Sequence, residues 1–584
     1  MTPAKRLVHF VRPYARLAIF ALVMLVALVV LDLAIPRLIQ RIIDEGIRKS
    51  DKSLVLHTAL FMLGISAVST VIAIANNALS VRVGEGVARD LREALFLKIQ
   101  SYSFGDLDRQ KTGQLLVRLT SDVSAIKSLT QISLRIGSRA PLLMLGSLAL
   151  MVATSRQLAL ALLPLLVVTG GLIVVYVARM EPLFRRVQEG LDGVNTILQE
   201  NVAGARLVKA FVRADFEAER FEAANEEMTL RSIRSLEVMS TMTPVLTTCI
   251  NAGVVIVIWL GGARAVRGDL SLGQLVAFTN YLFTTMTPLV MMTLLSNTWA
   301  AGMASLRRVE RIFATIPEVQ DAPNATALDP HADAVVTFEN VSFAYGEGER
   351  DDVLREIALT AKPGTTTAIL GSTGAGKSTL VALIPRLYDP KSGFVSVAGK
   401  NVREATRDSL IARVGMVLQE AILFSGTVRD NIRYGRPDAS HEEVESAAKR
   451  AQAHDFIVKM PSGYDSHVEQ RGANLSGGQR QRISIARALL VDPSILILDD
   501  ATSAVDVETE SKIQMALAET KAKRATVVVA QRISTVLDAD TILVLDRGRI
   551  VARGTHAELM RSSSLYREIY DSQLGGGPAS EATT

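Results

Sequence analysis

Six apolar segments dominate the first half of the chain, at 17–35, 56–79, 136–154, 157–178, 244–262 and 270–298. Each is near the roughly 20 residues that a helix needs to cross the hydrocarbon core of a bilayer. The expectation is therefore a helical membrane domain over residues 1–316. Six crossings put both termini on one side, and basic residues near the helix ends mark that side as cytoplasmic. Lys5, Arg6, Arg12 and Arg16 precede the first span, and the long segments 82–135 and 179–243 are rich in Lys and Arg. The 36–55 loop, with Arg37, Arg41, Arg48, Lys49 and Lys52, runs against this count without reversing it. The basic N-terminal stretch resembles the start of a secretory signal, but no small-residue cleavage site follows, and a retained span is expected.

The segments 82–135 and 179–243 are helical in pattern and polar on one face, so they read as membrane helices continued into the cytosol. Of the 584 residues, 49% are hydrophobic and 21% charged, with a mean hydropathy of +0.27. That mixture calls for a membrane part and a soluble part in series. Residues 317–334, PEVQDAPNATALDPHADA, have no periodicity and are expected to be a linker. From 335 to 574, β-rich runs such as TTTAIL, SILILDD, ATVVVAQ and TILVLD alternate with helical stretches, the pattern of a parallel α/β sheet. Residues 575–584 are small and polar and are expected to be disordered. The formal charge of +5 comes with no Lys/Arg run that resembles a nucleic-acid patch, so nucleic acid is not an expected partner. A single cysteine, Cys249, excludes an intrachain disulfide and any multi-cysteine metal site.

Residues 371–379 read GSTGAGKST, after the strand pattern TTTAIL and before the apolar helix pattern LVALIPRLY. Gly371, Ser372, Thr373, Gly374, Ala375, Gly376, Lys377, Ser378 and Thr379 thus form a phosphate-binding loop in its strand–loop–helix setting. The glycines let backbone N–H groups approach phosphate oxygens, and the helix start adds positive potential. Lys377 is expected to reach the β- and γ-phosphates, and the Ser378 hydroxyl to ligate Mg²⁺. At 495–499, ILILD ends an apolar strand in Asp499, placed to hold Mg²⁺ through water.

The stretch LSGGQRQR at 475–482, about 100 residues after the phosphate loop and just before ILILD, decides the family. With it the chain resembles the ABC transporter family along essentially its whole length. The resemblance implies that Ser476, Gly477, Gly478 and Gln479 cap the ATP bound by an opposing ATPase domain, and a helix start suits that anion physically. It implies that Tyr345 stacks on adenine, that Gln419 touches Mg²⁺ and senses the membrane domain, and that Ser503, Ala504 and Asp506 form a loop acting across a dimer. Residues 104–126 and 201–221 resemble the two intracellular loops of exporters, with short docking helices expected near 113–121 and 204–212. The order of six helices and then an ATPase domain resembles an exporter half-transporter.

Two positions depart from the family's catalytic set. The glutamate that usually follows Asp499 and polarises water is Asp500, one methylene shorter, which withdraws its carboxylate by about 1.5 Å. A misplacement of about 1 Å can cost on the order of 10²-fold in rate. The histidine expected after ATVVVA is Gln531, which can hydrogen-bond phosphate but neither carries charge nor shuttles a proton. Glu469-Gln470-Arg471 is a milder departure near the signature. The expectation is a slow ATP site in one half of a heterodimer, with a second half-transporter supplying the competent pair. A homodimeric lipid flippase and an ATP-binding regulatory subunit stay as alternatives. The expected cargo is an amphipathic drug, peptide or lipid, and the expected location is a bacterial inner membrane. Asp32, Arg139, Asn251, Asn297 and Trp299 are candidates for the transport path, and Met286, Met291, Met292 and Met303 for a malleable binding surface.

Overall fold

A computed structural model describes residues 3–346, 352–519 and 524–574; the side chains of a few residues in the last long helix, Asn297 among them, lie outside the description, as does the expected tail at 575–584. The chain divides into two compact units, Met1–Gln100 with Thr112–Thr315, and Ser101–Lys111 with Ile316–Thr584.

In the first unit, five helices are long and apolar enough to cross a membrane among the described residues: α1 (Lys5–Ile47), α2 (Lys52–Gln100), α4 (Thr112–Thr154), α5 (Arg156–Ala203) and α7 (Ala214–Arg267). One short helix of this unit intervenes, α6 (Ala205–Ala210), and a sixth long helix, α8 (Leu272–Ala314), closes the series; the short helix α3 (Phe104–Asp108) falls in the stretch that belongs to the second unit. Prolines 36, 141, 164, 182, 244 and 288 sit inside long helices without ending them. That is tolerated where neighbouring helices and local π-turns satisfy the freed backbone groups. Single π-helical turns occur at Ile42–Ile47, Arg118–Asp122, Ser133–Gly137 and Val257–Gly261. Leu25, Met151, Leu162, Phe278 and Tyr281 form the buried centre of the bundle.

Two expectations from the sequence need correction here. The 36–55 segment is not a loop: α1 continues to Ile47, and only residues 48–51 separate it from α2. The α1 end is fastened by Asp44, whose carboxylate accepts the Gly273 N–H at 2.9 Å and the Ser271 hydroxyl, satisfying donors at the start of α8. The short helix expected at 113–121 is the first part of α4, and the free-standing short helix lies earlier, at Phe104–Asp108. Its boundary is set by a reciprocal cap, in which Ser103 accepts the Asp106 N–H and Asp106 accepts the Ser103 N–H. No such cap marks 113–121.

The end of α8 is held by ion pairs within the same unit. Buried Asp122 accepts from Ser305 and from two nitrogens of Arg308, while Arg6 donates both Nε and Nη2 to Glu310 at 2.7 and 3.0 Å. Two-nitrogen guanidinium–carboxylate pairs fix orientation as well as distance.

The second unit has two principal sheets. A four-stranded antiparallel sheet runs in the order β2-β1-β4-β5, with β1 (Val336–Phe343), β2 (Leu354–Ala361), β4 (Ser392–Val397) and β5 (Lys400–Asn401). A six-stranded sheet runs β10-β9-β3-β8-β7-β6. Its members are β3 (Thr366–Gly371), β6 (Val414–Val417), β7 (Ile495–Asp499), β8 (Ala525–Val529), β9 (Thr541–Asp546) and β10 (Arg549–Gly554). Strands β9, β3, β8, β7 and β6 are mutually parallel. The continuous apolar runs of β7 and β8 follow from burial on both faces. Residues 317–334 are irregular but do not hang free, because Val319, Leu328 and Ala334 are buried and Arg413 donates to the carbonyls of Asp329 and Ala332.

Candidate functional site

Parallel pairing aligns the carboxyl ends of three strands. Val529 stands opposite Ile369 on one side and Asp499 on the other, so the loops after β3, β7 and β8 open on one crevice, where ligands of open α/β sheets bind. A cleft of about 330 Å³ lies there, lined by Tyr345, Thr373, Gly374, Gly376, Lys377, Ser378, Thr379, Gln419, Asp499, Asp500 and Gln531.

The loop after β3 is shaped by its glycines. A Cβ on Gly371 would lie 2.1 Å from the Leu545 carbonyl of the neighbouring strand, and Gly376 has φ +98° just ahead of helix α9 (Lys377–Ala382). Neither position accepts a larger residue. Lys377 is buried, and its ammonium donates to the carbonyls of Gly371 and Ser372 at 2.8 and 2.9 Å. Burial pulls its pKa below the usual lysine value, partly offset by the carboxylates of Asp500 and Asp499. A cation held against loop carbonyls in a low-dielectric cleft is suited to an incoming polyphosphate.

Opposite it, the Ser378 hydroxyl donates to Asp499 at 2.9 Å. Burial raises the Asp499 carboxyl pKa, with Asp500 nearby adding to the rise. Asp500 follows with φ +50°, a left-handed backbone that Asp tolerates better than most residues. Burial also raises its pKa. Its carboxylate accepts the Gln531 side-chain N–H at 3.0 Å. A hydroxyl and a carboxylate side by side, with exposed Gln419 on the same cleft, are the hard oxygen donors that Mg²⁺ takes. Tyr345 sits at the cleft mouth, 38% exposed, with its hydroxyl against Thr379 at 2.8 Å and its ring edge-on to Phe343 and Tyr388.

The second motif lies on helix α10 (Gly477–Leu490). Ser476 caps it, accepting the Gln479 N–H, while the Gln479 side chain accepts the Ser476 N–H at 2.9 Å. Gly478 is pressed against the Ala504 carbonyl, which a Cβ would meet at 2.8 Å. Asp506 caps helix α11 (Val507–Glu519) through the Thr509 N–H, which holds its pKa below the usual carboxylate range.

The family profile described as "ABC transporter transmembrane region" matches residues 18–289, and that described as "ABC transporter" matches 354–503. The chain is 38% identical to an uncharacterised ABC transporter ATP-binding protein, YfiB, of Bacillus subtilis (strain 168), covering 98% of this chain and 99% of that one. The chain belongs to the ABC transporter family. An ATP-dependent lipid A-core flippase of Desulfotalea psychrophila (strain LSv54 / DSM 12343) is 34% identical over 97% of this ABC transporter and 99% of that protein. A solved structure of a bacterial Atm1-family ABC exporter with ATP bound superposes with a TM-score of 0.83 at 28% identity, covering 97% and 99% of the two chains. This ABC transporter therefore has an exporter fold, is an integral membrane protein and couples transport to ATP hydrolysis; exporters of this type work as dimers of half-transporters.

Two polar residues in this ABC transporter's ATPase unit escaped sequence reading. Buried Gln481 donates to the Ser503 hydroxyl at 3.1 Å and accepts the Ala504 N–H at 2.9 Å, while Ser503 donates to the Asp500 carbonyl at 3.0 Å. The signature helix is thereby tied to the loop that carries Asp500. Buried Glu510 accepts from Thr502 and Thr535 at 2.7 and 2.8 Å, joining that loop to the segment after Gln531. Gln481 stands inside the quoted LSGGQRQR, but nothing in its type distinguishes a cross-brace from a surface residue.

In the membrane unit the path candidates divide. Arg139 donates to Asp32 at 2.6 Å, so these two face each other. Asn251 and Trp299 are exposed, and the Asn297 side chain lies outside the described residues. Met291 and Met292 are exposed, but Met286 is packed in the bundle core and offers no surface to a solute.

Proposed function

We propose that this chain is one half of a heterodimeric exporter that moves an amphipathic solute out of the cytoplasm, and that the ATP site built on its own phosphate loop is the slow one. The observation that carries this reading is the Asp500–Gln531 hydrogen bond. A shortened acid is tied to an uncharged amide where a longer acid and a titratable imidazole are the family's means of activating water. Gln531 supplies no proton and no charge, and Asp500, held toward it, is short of the position that a general base needs.

In this reading the phosphate loop, Lys377 and Tyr345 hold ATP, and binding closes the paired ATPase domains. Ser378, Gln419 and Asp499 would hold Mg²⁺, which neutralises phosphate charge when bound. Ser476, Gly477, Gly478 and Gln479 serve the partner's ATP, and turnover there resets the cycle. Closure switches the membrane cavity from inward- to outward-facing. Both termini lie in the cytoplasm of a bacterial cell, with the six long helices in its inner membrane.

Transport into vesicles by this chain alone and by the chain co-expressed with a half-transporter carrying Glu and His at the corresponding positions tests the reading. Robust transport only by the pair is expected, and equal transport by the chain alone would contradict it. A homodimeric lipid flippase is the second reading, supported by the 34% identity to the lipid A-core flippase over nearly the whole chain.

A further inference from the structure

Charge in the membrane unit is unbalanced around Asp32. Asp32 of α1 and Arg139 of α4 each lie 15 residues before the outer end of their helix, at Ile47 and Thr154. At about 1.5 Å per residue this sets the pair roughly 22 Å from those helix ends, and both residues lie inside the apolar segments of spanning length, 17–35 and 136–154. Arg135 lies four residues earlier on α4, one turn nearer the cytoplasm on the proposed topology and on the same helix face.

The pairing there is incomplete. Arg139 uses one terminal nitrogen on Asp32, and its Nε is buried without an acceptor. The Arg135 Nε is likewise buried without an acceptor, and among the described residues Arg135 makes no ion pair and no hydrogen bond. Two guanidinium groups thus stand against one carboxylate. Leaving a charged donor desolvated and unpaired is costly, and charged groups at membrane depth face protein or a wet cavity rather than lipid tails. The Arg139 and Asp32 side chains are 42% and 28% exposed in the single chain, which leaves them open to such a cavity. A planar fork of N–H donors matches the paired oxygens of a phosphate or carboxylate.

We propose that Arg135 and Arg139 bind the oxyanion headgroup of the transported amphipath, with Asp32 orienting Arg139 and competing for it. The exporter reading above is deepened here, from an amphipathic solute to one whose head carries a phosphate or carboxylate.

Equilibrium binding to the purified, assembled transporter in phosphatidylcholine nanodiscs without nucleotide tests this. The probes are dodecyl phosphate, dodecyltrimethylammonium and inorganic phosphate. Dodecyl phosphate should bind at least about tenfold more tightly than the cationic probe. R135Q should weaken it by about tenfold or more, the scale of a hydrogen-bonded charge, while ATP binding stays unchanged. D32N should act the other way, tightening dodecyl phosphate several-fold by releasing Arg139. Equal affinity for both alkyl probes, or D32N weakening dodecyl phosphate, would overturn the proposal. Inorganic phosphate competing at the same concentration as dodecyl phosphate would overturn the assignment to an amphipath. Because no nucleotide is present, fast ATP turnover by the chain alone would sink the slow-site reading and leave this result untouched.

Discussion

The Gln531 side-chain amide donates to the Asp500 carboxylate at 3.0 Å, so the two residues that depart from the family's catalytic pair are bonded to each other. If this site is already slow, Asp500→Ala should leave most transport intact in a co-expressed pair. Ser476→Arg puts bulk and misdirected charge at the start of the signature helix, which on the proposed reading serves the partner's ATP, and should nearly abolish transport. Lys377→Ala should fall between them. Transport assays on pairs of confirmed assembly check the order, and equal damage from Asp500→Ala and Ser476→Arg would make Asp500 a working base.

Glu510 is buried and accepts both the Thr502 and Thr535 hydroxyls. Glu510→Ala takes the shared acceptor from two half-buried hydroxyls, those of Thr502 and Thr535, at about 1 kcal/mol each. The ATPase unit should lose about 2 kcal/mol or more of stability, and Glu510→Gln, which retains an acceptor oxygen, should recover most of it. Denaturant unfolding of the detergent-purified chain measures both, and Glu510→Gln as harmful as Glu510→Ala would mean that the charge, rather than the acceptor, matters.

Burial raises the Asp500 pKa above its ordinary value. A carboxyl whose folded pKa is raised favours the fold below its unfolded pKa, near about 3.9, and loses that contribution as pH rises through the folded value. At neutral pH its charge therefore opposes folding of the nucleotide-free chain. Asp500→Asn should raise the apparent melting temperature at pH 7 to 8, and the gain should shrink on acidification. A gain that grows on acidification would contradict the assigned shift.

The topology is testable by chemistry. With Cys249→Ala as background, Gln110→Cys and Asp215→Cys should each react with a membrane-impermeant thiol reagent only in inside-out vesicles. Labelling from outside intact cells would reverse the orientation.

Much of this was legible because lipid and phosphate leave few choices. Apolar runs of spanning length become helices, and the glycines at 371 and 376 stand where a Cβ would collide or the backbone turns left-handed. Less legible was where helices stop. Residues 36–47 carry Arg37 and Arg41 and read as a loop, yet Asp44 pins the continuing helix to the start of α8. The short helix at Phe104–Asp108 was overlooked because its capping pair, Ser103 and Asp106, is local, while the apolar periodicity drew attention to 113–121. Gln481 and Glu510 were hidden for a different reason. Their value lies in partners 22 to 25 residues away, Ser503 and Thr535, and polar type alone does not reveal a buried long-range bond.

The central claim is that Asp500 and Gln531 together make this chain's own ATP site slow. Steady-state ATP turnover by the purified homodimer of this chain, compared with the same protein carrying D500E and Q531H together, tests it most directly. The account predicts wild-type turnover well below about one per second, the lower end of ordinary enzyme rates, and a rise of about tenfold or more when both residues are restored. Wild-type turnover of several per second, unchanged by the double substitution, would contradict it.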